Sequence, residues 1–579
     1  MLCALCSVVS AVLLDLCFPV AGPQRSWQPL LAWIALVPLL FALLNDRAVA
    51  HPRYLRRAAL TGYLCGLLWY ILNCYWIDRT MHLYGHVPPL GSAAILVLFS
   101  AVLGLYFGVF GLILAVFRRR FGFAWALTLA PFLWTALDLA AARITSVPWD
   151  QLGYSQINNL WLTRLAPWTG VYGITFVLVA ANAVIAPNWI AFKWTMWATP
   201  RRRISVWRES ARVFALGVVA VLAFSWSAPP PSPTSAYAVL LQPNNNVESD
   251  QAWHGTRWNG SAAWLIQQSQ LTCTPGAPPL SPASGDRVGE AGAPPSTTPG
   301  APPLSAASSR TGWVNPTCSD NTPPPGVVLW PETASWFASN DPETLAAAAA
   351  LAHAAHAPLI LGMEGIDSTG IYNSALFVQP DGSVAGRYDK IHLVPFGEYV
   401  PYRSLFFFAH QLTHQLQDLQ RGTRRIVFHA DGPGAPGALG TSESHTFGAF
   451  ICYESIFGNE VRHFARNGAQ VLVNLSDDGW YGDTSAPWQH LDMTRMRAVE
   501  NHRWLLLDTN SGVTTVIDPR GRVTLSAPRH TLTTLVARYG YETDLTFYTE
   551  HGDLFAWFCS AITILAILLC FRRANPLTR

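Results

Sequence analysis

The feature that most constrains this chain is a series of apolar segments, each near the roughly 20 residues that a membrane-crossing helix needs. Seven lie before residue 230 and one lies at the C-terminus. They are at about 2–20, 27–44, 58–77, 92–117, 123–141, 167–190, 213–229 and 554–571. Asp, Glu, Lys and Arg make up only 13% of the 579 residues, where about 25% is usual for a soluble protein. We therefore predict a multi-pass membrane protein.

The basic residues of the loops between these segments are unevenly distributed. One alternate set of loops carries Arg47, Arg53, Arg56, Arg57, Arg118, Arg119, Arg120, Lys193, Arg201, Arg202, Arg203, Arg208, Arg212, Arg572, Arg573 and Arg579. The other short loops carry only Arg25, Arg79, Arg143 and Arg164. Because Lys and Arg are retained on the cytoplasmic side of a membrane, both termini are predicted to be cytoplasmic. Residues 230–553 then lie in the periplasm, and the predicted location is the bacterial inner (cytoplasmic) membrane.

Charge and cysteine spacing exclude two other classes of protein. The net charge of +3 is too small to indicate a nucleic-acid-binding surface, and no basic patch is interleaved with aromatic residues. The cysteines are not paired at the spacing of zinc ligands. We predict neither nucleic acid nor metal as a partner.

Residues 230–553 have a different pattern, in which short apolar runs alternate with helical stretches. The predicted strands are Ala236–Gln242, Gly326–Trp330, Pro358–Gly362, Ser374–Gln379, Thr446–Cys452, Gln470–Leu475 and Trp504–Asp508. The predicted helices are Trp258–Gln270, Pro342–His356, Ser455–Asn467 and Gln489–Asn501. This alternation is typical of an α/β domain. The predicted organisation is a transmembrane domain at 1–229, an extramembrane domain at 230–553, and a last helix with a cytoplasmic tail at 554–579.

Residues 274–310 do not fit the α/β pattern. They are rich in Pro, Gly, Ala and Ser, and the heptad PGAPPLS at 275–281 recurs at 299–305. Such a composition cannot bury enough apolar surface to offset the entropy of ordering, so we predict a disordered insertion. Cys273 and Cys318 flank it and could form a disulfide in an oxidising compartment, or they could be two free thiols.

Cys452 is a candidate nucleophile because it follows an apolar strand and precedes a predicted helix. A strand-to-helix turn there would expose the thiol at the helix N-terminus, where the helix dipole is expected to favour the thiolate. A single cysteine at a strand end is more often a buried packing residue. Catalysis therefore also requires a base and an electrophilic partner.

Glu332 and Lys390 are candidates for these two roles. Glu332 ends the apolar run Val327–Trp330 and Pro331, a setting that suits a general base, although an acid at a helix start is the simpler alternative. Lys390 lies between apolar residues after the turn at 380–382. It could hold an oxyanion, or it could be a surface lysine paired with Asp389.

Taken together, these three contexts resemble the Glu-Lys-Cys triad of the nitrilase superfamily. With the preceding helices, the chain resembles the apolipoprotein N-acyltransferase family. The segments that carry the resemblance are Pro148–Trp149, Gly153–Gln156, Trp330–Glu332, Tyr388–Glu398, Cys452–Glu454, Asn474–Gly482 and Thr509–Gly512. They cover nearly the whole chain apart from residues 274–310.

The resemblance implies a fold and a reaction. The expected fold is a nitrilase-like α-β-β-α sandwich on an eight-helix transmembrane domain. Cys452 would attack the acyl ester of a phospholipid while Glu332 takes its proton and Lys390 holds the oxyanion. The thioester would then pass the acyl chain to the free amine of a diacylglyceryl apolipoprotein, in ping-pong covalent catalysis without metal or cofactor.

The resemblance also implies supporting roles for other residues. Glu398 is expected to support the site near Lys390, and Tyr453 and Glu454 follow the nucleophile. Trp253 is expected to shape the acceptor or lipid site. Phe406, Phe407 and Phe408 either belong to the core or line the entry of lipid into the site.

Two other functions remain open on the sequence alone. A membrane-anchored nitrilase-type amidase would use the same triad with water as the acceptor, but anchoring needs fewer than eight helices. A transporter or scaffold with an inactive α/β domain is the second alternative. The few charged residues in the predicted segments, notably Asp15 and Asp138, give little sign of an ion path.

Overall fold

The structure is a computed structural model that describes residues 2–194, 230–245, 325–334, 338–395, 397–399, 419–430 and 444–572. The chain before residue 195 is helical. Its helices are α1 (Leu2–Asp15), α2 (Gln28–Leu31), α3 (Val37–Leu44), α4 (Asp46–Val49), α5 (Tyr54–Asn73), α6 (Trp76–Leu83), α7 (Pro89–Phe121), α8 (Phe123–Ala140), α9 (Ala166–Thr169) and α10 (Val171–Trp194). A π-helical turn at Ala141–Thr145 extends α8, and short 3-10 helices lie at Leu152–Gln156 and Thr163–Leu165.

Three described helices are long and apolar enough to cross a membrane. They are α7, α8 with its π turn, and the helix Leu554–Arg572 near the C-terminus, and the pair α5 and α6, bent by 49°, would form a fourth. Helix α1 and the segment Val171–Ala186 are apolar but shorter. The predicted segment 213–229 lies outside the described residues. By length and composition, the described residues therefore provide fewer crossing helices than the eight predicted.

The predicted continuous segment 27–44 is broken into α2 and α3. Pro38 cannot continue a helix through residue 34, because its ring clashes with the carbonyl four residues earlier. Buried Asn182 on α10 satisfies the backbone of the break: its Nδ2 donates to Ala32 O and its Oδ1 accepts from Leu36 N, both at 2.8 Å. Backbone polar groups at membrane depth need such internal partners.

The helices of this half pack closely through glycines. A Cβ added at Gly62 of α5 would lie 2.1 Å from Phe107 O on α7, and one at Gly111 would lie 2.4 Å from Ala58 O. Small residues at these two positions let the two backbones approach each other, as is typical of helix pairs in membranes.

The second half of the chain forms two six-stranded sheets. Their strands are β1 (Ala236–Gln242), β2 (Val327–Trp330), β3 (Leu359–Asp367), β4 (Gly370–Val378), β5 (Val384–Asp389), β6 (Val427–Ala430), β7 (His445–Ile451), β8 (Val471–Ser476), β9 (Trp504–Thr509), β10 (Thr515–Ile517), β11 (Val523–Ser526) and β12 (Thr533–Tyr539). The order is β12-β1-β2-β3-β4-β5 in the first sheet and β11-β10-β9-β8-β7-β6 in the second. All seven predicted strands are present, within a few residues at their ends.

Helices cover the outer faces of these sheets. Helix α11 (Pro342–Ala355) packs on the first sheet through Leu351 and Ala352, in a cluster that includes Val328 and Leu359. Helices α12 (Gly458–Arg466) and α13 (Ala486–Asn501) lie against the second sheet, and α14 (Phe547–His551) and α15 (Leu554–Arg572) complete the chain. The layers are those of a nitrilase-like sandwich. The predicted helix Trp258–Gln270 lies outside the described residues.

Helix α13 joins the sandwich to helices α1–α10 and the loops between them, here called the membrane half, through buried polar contacts. The Nε2 of Gln489 donates to Pro19 O and Asn73 O, each at 3.2 Å. Farther along α13, Arg497 donates to Tyr154 Oη at 3.0 Å, and Glu500 accepts from Val171 N at 3.0 Å. Three polar side chains of α13 are therefore hydrogen-bonded to the membrane half.

Candidate active site

The first element of the site is a buried ion-pair cluster between the ends of β2 and β5. Lys390 Nζ lies 2.9 Å from Glu332 Oε1 and 2.9 Å from Glu398 Oε1. Glu332 follows β2. Glycine at position 362 allows the backbone at Pro331 to lie close to β3, since a Cβ at Gly362 would lie 2.0 Å from Pro331 O. Lys390 is 1% exposed and Glu332 is 7% exposed. The structure thus brings together three of the predicted site residues.

Asn373 on β4 fixes the two carboxylates relative to each other. Its Nδ2 donates to Glu332 Oε1 at 2.6 Å and to Glu398 Oε1 at 2.8 Å. The other oxygen of Glu332 accepts from Asp477 N at 2.9 Å, and that of Glu398 accepts from Val394 N at 2.7 Å. Asn373 was not identified in the sequence analysis. Its signal was a polar residue directly before the predicted strand Ser374–Gln379.

The ammonium of Lys390 remains charged in this setting. Burial alone would lower the pKa of Lys390, but the carboxylates of Glu332 and Glu398 hold that pKa well above its ordinary value. A lysine ammonium has three N–H donors, and two of them are directed at Glu332 and Glu398. Among the described residues no third acceptor contacts Nζ, so one N–H is available to a further group such as an oxyanion.

Cys452 directly follows β7 and is the first residue of a 3-10 helix, Cys452–Ile456. Its backbone has φ of +50°, a left-handed conformation that is uncommon for a residue other than glycine and is often found at functional sites. The carbonyl of Cys452 accepts from Asn474 Nδ2 at 3.3 Å and from His490 Nε2 at 3.1 Å. These two buried side chains hold the turn in its strained conformation.

The expectation that a helix N-terminus favours the Cys452 thiolate is wrong. The turn is a five-residue 3-10 helix rather than the start of a long α-helix. Burial raises the pKa of the Cys452 thiol well above its ordinary value, and the charge of Glu332 raises it further, against the opposing effect of Lys390. At neutral pH the thiol is therefore protonated, and its reaction needs a base to remove the proton.

This protonation state predicts the pH dependence of alkylation at Cys452. Since only the thiolate reacts, the rate of iodoacetamide addition should rise about tenfold per pH unit between about pH 7 and 9, without a plateau. Mass spectrometry of the peptide that contains Cys452 measures the rate, with glutathione as the free-thiol control. A plateau below about pH 8 would show a thiolate stabilised in the resting site and would contradict this result.

Glu454 ties the turn at Cys452 to the segment that carries Lys390. Its carboxylate accepts from Ile391 N at 2.7 Å and from Ile451 N at 2.8 Å. It also accepts from Tyr388 Oη at 2.8 Å. The predicted supporting residue Glu454 thus holds two loops together. Tyr453 points instead toward the membrane half, where its hydroxyl donates to Ser146 O at 3.3 Å.

A second buried cluster around His490 was not identified in the sequence analysis. Nδ1 of His490 lies 3.0 Å from Asp478 Oδ1, and its Nε2 lies 2.6 Å from Ser455 Oγ. Burial alone would lower the pKa of His490, but Asp478 raises it above its ordinary value. His490 lies on α13, within a predicted helix. Its contact with the Cys452 carbonyl depends on tertiary packing that no local pattern indicates.

Several predicted residues lie outside the described residues. They are Trp253, Cys273, Phe406, Phe407, Phe408, Cys318 and the insertion 274–310.

One group of side chains among the described residues has metal-ligand spacing: His502, Glu542 and Asp544. Its members already have partners within the chain. Ser232 donates to both Glu542 oxygens, through its N at 2.6 Å and its Oγ at 2.7 Å, and His502 Nδ1 lies 3.0 Å from Asp544 Oδ1. The proximity of these side chains is therefore explained by their hydrogen bonds within the chain.

Comparison with known proteins covers both halves of the chain. Residues 10–184 match the family model of the apolipoprotein N-acyltransferase N-terminal domain, and residues 322–541 match that of carbon-nitrogen hydrolase. The chain is similar to three proteins named apolipoprotein N-acyltransferase. That of Bradyrhizobium diazoefficiens is 32% identical, covering 93% of this chain and 89% of the relative. That of Ralstonia nicotianae is 30% identical, covering 96% of this chain and 91% of the relative. That of Geobacter metallireducens is 28% identical, covering 99% of this chain and 96% of the relative.

Proposed function

This chain belongs to the apolipoprotein N-acyltransferase family, and on that basis we propose how its residues carry out lipoprotein N-acylation. The acyl donor is a membrane phospholipid, and the acceptor is the α-amine of the diacylglyceryl-cysteine at the N-terminus of an apolipoprotein. The catalytic residues are Glu332, Lys390 and Cys452. The observation that carries this assignment is the buried ion pair of Glu332 and Lys390, whose charges act on the Cys452 thiol.

The first half-reaction forms a thioester on Cys452. Glu332 takes the thiol proton as sulfur attacks the ester carbonyl of the phospholipid, and the remaining N–H of Lys390 stabilises the tetrahedral oxyanion. The intermediate then collapses with cleavage of the ester C–O bond. Glu332 returns the proton to the leaving alkoxide, and lysophospholipid departs.

The second half-reaction transfers the acyl chain to the apolipoprotein. The free α-amine attacks the thioester carbonyl, and Lys390 again stabilises the oxyanion. Glu332 accepts a proton from the nitrogen and passes it to the departing Cys452 sulfur, so the amide forms and the resting thiol returns. Glu398 orients Lys390 through its 2.9 Å contact, and Glu454 keeps the two loops at a fixed distance.

The proposed architecture has a transmembrane domain at 1–229, a catalytic domain at 230–553 and a last transmembrane helix with its tail at 554–579. Eight crossing segments and a periplasmic catalytic domain in the inner membrane account for the 16 basic residues in one set of loops against four in the other. Lipid substrates reach such a site along the membrane. Trp253 and Phe406–Phe408 are proposed to contact them.

Mass spectrometry of the purified protein with phospholipid tests the function directly. We expect an acyl adduct on Cys452, because the thioester is an obligatory intermediate of ping-pong transfer. Neutral hydroxylamine should release it, and a diacylglyceryl-cysteine peptide should remove it with formation of an N-acyl peptide.

Two outcomes would contradict the proposal. An adduct on any other cysteine would refute the assignment of the nucleophile. An adduct that is lost to water as fast as to the peptide would indicate a hydrolase of the amidase type instead of an acyltransferase.

A further inference from the structure

A cavity lies between the membrane half and the sandwich, beside the turn of Cys452. Its volume is about 200 Å³. Arg143 of the π turn lines it on the side of the membrane half. Asp553, the residue directly before α15, also lines it. From the sandwich it is lined by Ile456 and Phe457, which end the turn that begins at Cys452.

The position of the cavity relative to the membrane follows from two helices. Arg143 lies in the last turn of the candidate span Phe123–Thr145, and Asp553 directly precedes the candidate span Leu554–Arg572. Both residues therefore lie where a membrane-crossing helix ends. This is the level at which lipid head groups meet water.

Two buried side chains on the cavity wall have polar atoms without a partner among the described residues. They are Nε of Arg497, a donor, and Oε2 of Glu500, an acceptor, and both residues are 0% exposed. Each residue is otherwise well bonded: Arg497 binds Tyr154 and Glu500, and Glu500 binds Val171 N. Buried polar atoms normally have partners, so a ligand that accepts one hydrogen bond and donates another would complete this wall.

Arg143 adds a cation at the cavity, and only one of its nitrogens has a hydrogen-bond partner among the described residues. One of its terminal nitrogens forms an ion pair with buried Asp553, and its side chain is 38% exposed. A guanidinium has five N–H donors in a planar fork and is suited to bind a phosphate while it keeps a carboxylate partner.

From these contacts, and given the proposed function, we infer that this cavity binds the head group of the donor phospholipid. Its phosphate would accept hydrogen bonds from Arg143 and Arg497, and a hydroxyl or ammonium of the head group would donate to Glu500. The cavity would thereby hold the lipid while its ester approaches Cys452. The other charged lining residue, Glu460, is already paired with Arg425.

Acyl-enzyme formation from two donors tests this inference in the full-length protein. Phosphatidylglycerol in detergent micelles carries the phosphate, and p-nitrophenyl palmitate is an acyl donor that lacks it. Arg143→Lys keeps the charge beside Asp553 but loses the fork, so we expect its kcat/KM for phosphatidylglycerol to fall about tenfold. Its burst of p-nitrophenolate should change less than about twofold.

Two further variants separate head-group binding from folding. Arg143→Gln combined with Asp553→Asn removes the cation without leaving a buried carboxylate unpaired, and it should show the same selective loss. Arg164→Gln is the matched control, since Arg164 is a cation of the same set of loops that does not line the cavity, and it should keep both activities.

The outcomes are distinguishable. Selective loss with phosphatidylglycerol supports the head-group site. Equal loss with both donors, or no loss with either, overturns it and leaves the acyltransferase function intact. Wild-type protein that forms an acyl-enzyme with neither donor would contradict the proposed function and the head-group site together.

Discussion

We expect the Cys452→Ala variant to lose acyl transfer by a factor on the order of 10⁴ or more, because no other group can carry the thioester. The fold should persist, since the substitution removes one sulfur atom from a turn held by Asn474 and His490. Transfer to a diacylglyceryl-cysteine peptide measures the loss. Thermal unfolding and membrane insertion report the fold.

The matched control for this variant is Cys559→Ala. Cys559 is buried in α15, so it tests the loss of a buried thiol away from the candidate active site. We expect this control to keep nearly full activity. Residual transfer above about 1% of wild type in Cys452→Ala would show that another residue is the nucleophile.

The second large effect is expected for Lys390→Met. The variant loses the proposed oxyanion donor and leaves the carboxylates of Glu332 and Glu398, both bonded to Asn373, without a cation. Removing one partner of a buried ion pair costs about 3–5 kcal/mol, and removing one oxyanion donor costs about 10²–10³-fold in rate. Both a lower melting temperature and a rate loss of at least that size should be measured.

A double variant separates the two roles of Lys390. Lys390→Met with Glu398→Gln carries the same net charge in the cluster as wild type, and its glutamine can still accept from Val394 N. We expect it to recover much of the melting temperature but none of the activity. Recovery of acyl transfer would mean that Lys390 only neutralises its neighbours.

The sequence predicts the central strands and the main residues of the candidate site, but not the contacts that hold them. Cys452 and Glu332 could be identified because each follows a short apolar run, and Lys390 because it lies between apolar residues after a turn. All three also lie in family motifs. The contacts of Asn373 and His490 could not be predicted, since they join residues 41 and 38 positions apart. One strand that was not predicted has a local reason: β11 is wholly exposed, so it lacks the apolar pattern of a buried strand.

The error about Cys452 has the same origin. The dipole argument treats the thiol as though it lay at the start of an isolated helix. The actual surroundings add burial and the nearby carboxylate of Glu332, and both depend on the folded chain. The broken helix at residues 32–36 is similar, because Ala32 O and Leu36 N find their partner in Asn182 on a distant helix.

Helix α13 has a practical consequence for inhibitor discovery. This helix carries His490, which contacts the carbonyl of Cys452. It also carries Gln489, Arg497 and Glu500, which are hydrogen-bonded to the membrane half. A water-soluble fragment that contains only the sandwich would remove the partners of these three side chains. Helix α13, which contacts the turn at Cys452, would then lose its contacts with the membrane half. Compounds should therefore be screened against the intact enzyme in detergent or nanodiscs, where α13 keeps these contacts.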